Sequence, residues 1–161
     1  MRINRTLCLL ALALVATTAI AQSRRPHFLR APSASLGSPR VIVQWTEVEL
    51  LKHENVSYIA SAKAGAHYQC VYRSNQRPSA THQEDVLVNV SVGGTFTADK
   101  YGKISDKLII PAPQPTLVCP SNQVLTLVSV VFTDIRLTDV SNYVSSPTHP
   151  SALSYKAECA H

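Results

Sequence analysis

No stretch beyond the first twenty residues approaches the eighteen or so uninterrupted apolar residues that a membrane-spanning helix needs, so nothing later in the chain reads as an anchor. Metal-ligand spacings such as C-x-x-C or H-x-x-x-H are missing throughout, which removes the usual structural zinc sites, and no cofactor motif occurs. No segment carries an apolar stripe at helical spacing over ten or more residues. A basic surface for nucleic acid is lacking as well. Six of the fifteen Lys and Arg residues (Arg2, Arg5, Arg24, Arg25, Arg30 and Arg40) precede Val41, which leaves nine against ten acidic residues from Val41 to His161. The net charge of +5 therefore belongs to the leader, and a nucleic-acid partner is not expected.

The start of the chain has the texture of an export signal. Arg2 and Arg5 precede the apolar run Leu7 to Val15, and Ala19-Ile20-Ala21 supplies the small-x-small pattern of a cleavage site. Residues 1–21 are expected to be a signal peptide, leaving a secreted, extracellular chain of 140 residues without membrane insertion. Gln22 to Arg40 contains Pro26, Pro32 and Pro39, several serines and four arginines, a composition that predicts a disordered basic arm. The dibasic pair Arg24-Arg25 within it either belongs to a flexible basic linker or, in a eukaryotic secretory route, can be cut by a kexin- or furin-like protease. Residues 41–161 are then a single domain.

From Val41 the pattern turns to short alternations. Val41, Val43 and Trp45 share one face, and Val56 to Ala64 and Gly65 to Tyr72 make two further strands. Ser74 to Gln83 reads as a loop, and Val86, Val88, Val90 and Val92 alternate with Leu87, Asn89 and Ser91 up to a Gly93-Gly94 hairpin turn. Ile104 to Ile110 is another strand. Pro111 to Pro115 is an edge or crossover segment, because its prolines lack backbone donors. Val124 to Phe132, continuing through Ile135 and Leu137, has the character of a central strand, Asn142 to Pro150 that of a loop, and Ala152 to Ala157 that of a closing strand. About eight short strands predict an all-β fold: an antiparallel two-sheet sandwich, Ig-like, or a small barrel.

Cys8 leaves with the signal, so Cys70, Cys119 and Cys159 remain, an odd number in an oxidising compartment. Cys159 can cross-link two chains into a disulfide-linked homodimer, stay free, or compete for a partner within the domain. A Cys70–Cys119 bond would close most of the middle of the domain and stabilise it by about 4 kcal/mol.

The order Tyr68-x-Cys70, Pro78 with Ala80, Gly94-Thr95-Phe96, Gly102-x-Ile104, Pro111-x-Pro113, Cys119-Pro120-x-x-Gln123, Leu127-x-x-Val130 and Leu137-x-Asp139 resembles a group of small exported two-cysteine proteins of bacteria and fungi. The resemblance covers about Val41 to Asn142. It implies secretion, a β fold and the Cys70–Cys119 pair only, the group having no assigned enzyme activity. His82-Gln83 departs from the Asn-Lys expected after the proline loop, and Cys159 is additional.

Several groups could carry function. Asn55-Val56-Ser57 and Asn89-Val90-Ser91 are N-glycosylation sequons. Ser79 or Ser91, His67 or His82, and Asp85 can be combined into a nucleophilic triad, but none lies in a nucleophile elbow. Glu84 and Asp85 point to opposite faces of a strand, which argues against a paired-carboxylate site. The loop after Tyr72, with Asn75, Gln76, Arg77 and His82, combines an aromatic ring, planar amides and a guanidinium, a surface suited to a sugar or a peptide. The expectation is a non-enzymatic secreted binding protein, effector-like or virulence-associated, contacting an extracellular protein or glycan surface. The alternative is a structural component of an extracellular layer or cell wall, cross-linked through Cys159.

Overall fold

The computed structural model describes residues 25–157, all in strands and their connections. The expected signal peptide (residues 1–21), Arg24 and Cys159 lie outside the described residues. Among the described residues nine strands form two antiparallel sheets that do not close into a barrel.

The first sheet is built on β3 (Val41–Val48), which pairs on one side with β1 (His27–Phe28) and β2 (Ser33–Leu36) and on the other with β6 (Ile104–Ile110). The second has the order β5 (Pro78–Thr97), β4 (Asn55–Tyr72), β7 (Gln123–Asp139), with β8 (Val144–Pro147) and β9 (Leu153–Lys156) both on the far side of β7. The alternation in β3 works as expected: Val41, Val43 and Trp45 are buried, and the period carries on to Glu47. Opposite them β4 buries Val56, Tyr58 and the alanines at 60, 62, 64 and 66. Those small side chains leave the bulk of the interior to β7, which contributes Val130, Phe132, Ile135 and Leu137. Trp45, Tyr58 and Phe96 stack together with ring centroids 4.7 to 5.8 Å apart, locking β3 against β4 and β5.

Five expectations need correction. The segment 22–40 is not a disordered arm over its described part. Leu36 pairs with Val41 and Ser33 with Gln44 across a turn closed by a Gly37 N–H bond to the Arg40 carbonyl. Ala34 is buried beneath this hairpin, so the domain begins ahead of Val41. Pro and Ser content concealed the pairing because the strands are only two and four residues long.

The two strands either side of Gly65 are one, and so are the two either side of Gly93-Gly94. Gly93 and Gly94 face Ile59 and Tyr58 in mid-strand. A Cβ on Gly94 would stand 2.9 Å from the Phe96 ring, so that glycine makes room for the aromatic stack and forms no turn. The true reversal comes at Gly102, whose φ of +73 and close approach to the Leu50 backbone exclude a side chain. Finally, the loop expected over Ser74 to Gln83 ends at Arg77, and Val144 to Pro147 is a strand inside the expected loop 142–150. Pro78 can open β5 because its missing donor falls at the first residue of a strand.

Candidate functional site

The expected binding residues sit at the tip of the long β4–β5 hairpin. Tyr72 N–H donates to the Arg77 carbonyl at 2.9 Å, and Gln76 N–H to the Tyr72 carbonyl at 2.7 Å. Gln76 adopts a left-handed backbone with φ of +55. The Asn75 side-chain oxygen accepts from Arg77 N–H at 3.0 Å, the local bond by which asparagine shapes a tight turn. Asn75 is therefore partly committed to the turn itself. Tyr72, Arg73, Gln76 and Arg77 are exposed around it. Arg73 and Arg77 have no ion-pair partner among the described residues. Arg73 was not singled out in the sequence, although it lies between two residues that were.

Two ties fix this tip. Cys70 and Cys119 form the disulfide, with Cα atoms 5.7 Å apart, and Cys70 is fully buried. Cys119 ends a strap, residues 111–122, that returns along the β4–β5 hairpin. The Tyr68 hydroxyl donates to the Pro113 carbonyl at 2.6 Å. The Glu84 carboxylate accepts from Thr116 N–H, the Thr116 hydroxyl and Leu117 N–H at 2.6 to 3.2 Å. These bonds, the Thr116 hydroxyl foremost, hold the Glu84 carboxyl below its ordinary value. Replacing Glu84 by Ala should speed amide exchange at Thr116 and Leu117 while leaving β4 protected; unaltered exchange at both would show that the disulfide alone holds the strap. Val118, 84% exposed, projects from the strap near this end.

His82 does not join the tip. It lies along β5, with Nδ1 within hydrogen-bond reach of the Thr81 and Ser79 hydroxyls at 3.0 and 3.1 Å. His67 meets Asp85 at 2.7 Å across the strand pair. The register puts Glu84 beside inward-facing Tyr68 and Asp85 beside outward-facing His67. The Ser79–His82 contact and the His67–Asp85 contact therefore occupy different faces, Ser91 stands opposite Ser61 well along the strand from Asp85, and the triad combinable in the sequence does not assemble. Among the described residues no three His, Cys, Asp or Glu side chains converge as a metal site requires.

The two sequons are also placed. Asn55 is exposed at the start of β4, where its oxygen accepts from the Thr97 hydroxyl at 2.7 Å. Asn89 is exposed on the outer face of β5, opposite Lys63. It lines an open groove of about 540 Å³ with Ser61, Lys63, Asp134 and Arg136. Asp134 is there because β7 bulges against β4 between Ser61 and Lys63, and its φ of +52 turns it onto Lys63 at 2.7 Å. The Lys63 ammonium holds the Asp134 carboxyl below its usual range.

Fold and tip together define a small all-β protein of two open antiparallel sheets, whose longest hairpin presents an exposed polar and aromatic turn braced by one disulfide. No protein-family model, curated protein or solved structure matches the chain. Among the described residues no helix is long and apolar enough to cross a membrane.

Proposed function

We propose that this is a secreted, non-enzymatic binding protein that engages an extracellular protein or glycan surface through the β4–β5 tip. At the surface of a host or another cell it would act as an effector or virulence factor. The observation that carries this reading is the pairing of an exposed ring with two guanidinium groups that have no ion-pair partner among the described residues, Tyr72 with Arg73 and Arg77, on a turn braced by a covalent bond. Preorganisation matters here because a loop that must be ordered on binding loses affinity to that ordering. The chemistry selects a partner with a flat apolar face beside carboxylate or sulfate groups, such as an acidic sugar or an acidic peptide segment. The leader-like first 21 residues, a disulfide that suits an oxidising compartment, and the resemblance to small exported two-cysteine proteins all support export.

The test is binding to glycan and peptide arrays, followed by titration of the best ligand. Tyr72→Ala and Arg77→Ala should each weaken binding by about 10-fold or more, the size expected of an anchor residue. Full affinity in both variants would remove the tip from the function.

A further inference from the structure

We infer that a second copy of this chain pairs with the outer edge of β5, in an antiparallel arrangement about a two-fold axis near Asn89, to extend the five-stranded sheet across two molecules. The inference rests on the edge of the sheet and not on the hairpin tip.

β5 is twenty residues long, and among the described residues the backbone of its Ala80 to Phe96 stretch forms its ladder with β4 alone. An unpaired edge of that length is a template for another strand, and folds ordinarily blunt such edges with short strands, charges or bulges. Every other edge here is blunted. β1, β2, β8 and β9 have two to four residues each. β6 carries Asp106 opposite inward-facing Trp45, with Lys107 beside it. The β2 side is stitched to the second sheet by the Ser33–His149 bridge. β5 alone has no such device: Val86 to Thr97 is twelve residues without one ionisable side chain, and its register with β4 is regular throughout that stretch.

The occupant follows from self-complementarity. A two-fold axis near Asn89 places Val88 opposite Val90 and Val86 opposite Val92 of the other copy, valine against valine on the inner face. That face is incompletely covered in one molecule, where Val88 is 42% exposed and Val86, Val90 and Val92 are half-buried. The same register sets Glu84 and Asp85 against Gly94 and Gly93, so no like charges meet. An isologous contact of this kind closes at two molecules. Asn89 stands at the axis on the outer face, so a glycan attached there would obstruct the pairing.

The test uses the full mature chain carrying Asn89→Gln, which removes the sequon, and Cys159→Ser, which removes the thiol as a source of dimers. Sedimentation equilibrium should show a reversible monomer–dimer equilibrium, and amide exchange over residues 86–92 should slow as concentration rises. Val88→Lys puts two ammonium groups into the pairing and should raise the dissociation constant by about 10-fold or more. Leu87→Lys, at a position 82% exposed, should do the same with the monomer fold intact by circular dichroism. A monomer up to millimolar concentration overturns the inference. So does a dimer indifferent to both lysines, or protection over 86–92 that is already complete in the dilute monomer.

Discussion

Replacing Cys70 and Cys119 together by alanine should lower the free energy of unfolding by about 4 kcal/mol, the loop-closure value for a bond spanning 49 residues. Few domains of this size have more than two or three times that to lose. Chemical denaturation followed by the fluorescence of Trp45, the single tryptophan, reads the change directly, in a Cys159→Ser background that keeps a spare thiol out of the measurement. The local consequence is as important as the global one. The strap is otherwise tied to the hairpin by the Tyr68 hydroxyl on Pro113 and by Glu84 on Thr116 and Leu117. Arg73 N–H also donates to the Asn122 carbonyl at 3.0 Å, just beyond Cys119. Without the disulfide only that bond and the end of the β4–β7 ladder, Val71 with Val124 and Tyr72 with Gln123, hold the tip, so ligand affinity should fall with stability. A loss under about 1 kcal/mol would mean that the loop is already held in the unfolded chain or strained in the folded one.

The second large effect is a stability that falls as pH rises toward neutrality. Glu47 is fully buried, its Oε2 accepts from the Tyr58 hydroxyl at 2.6 Å, and its Oε1 has no hydrogen-bond partner among the described residues. Burial pushes its carboxyl up to about 7; the Tyr58 hydrogen bond and more distant His27 pull it down, while Asp139 pushes it further up. The same burial, with Glu47 adjacent, raises the Tyr58 hydroxyl. Asp139 has its own donors, accepting from Ser141 N–H, Asn142 N–H and the Asn142 side-chain amide at 2.7 to 3.0 Å. A carboxyl whose value is higher folded than unfolded binds more protons in the native state, so its contribution is complete below 4.5 and is lost as pH rises to about 7. The loss should be on the order of 3 kcal/mol. Glu84 and Asp134, both lowered, act in the opposite direction, but below their ordinary values of 4.5 and 3.8, outside this window. Urea unfolding at a series of pH values should show the fall, and Glu47→Gln should flatten it and raise stability at neutral pH. An equal slope in the variant would assign the effect elsewhere.

Much of this was legible in the chain itself. Alternation alone placed Val41, Val43 and Trp45 on the buried face of β3, and it identified Ile104 to Ile110 and the long run from Val124 as strands. Side chains that switch face at every residue leave that mark whatever they pack against. A turn after Tyr72 was visible as well, because Asn75 ahead of Pro78 writes local turn chemistry. Glycine misled. At Gly93-Gly94 the rule for tight turns competed with a packing demand, the space needed by Phe96, that no local pattern records.

The sequence by itself determined an all-β chain, the core faces of its main strands and the place of a turn after Tyr72, because each depends on neighbours a few positions away. Only the tertiary structure decided that His27 to Leu36 joins a sheet, that Ser79 and Asp85 face apart, and that Glu47 shares the interior with Tyr58 and Asp139. It also left β5 at the edge of its sheet. These outcomes turn on which strands lie side by side, and contacts between residues far apart in the chain set that order.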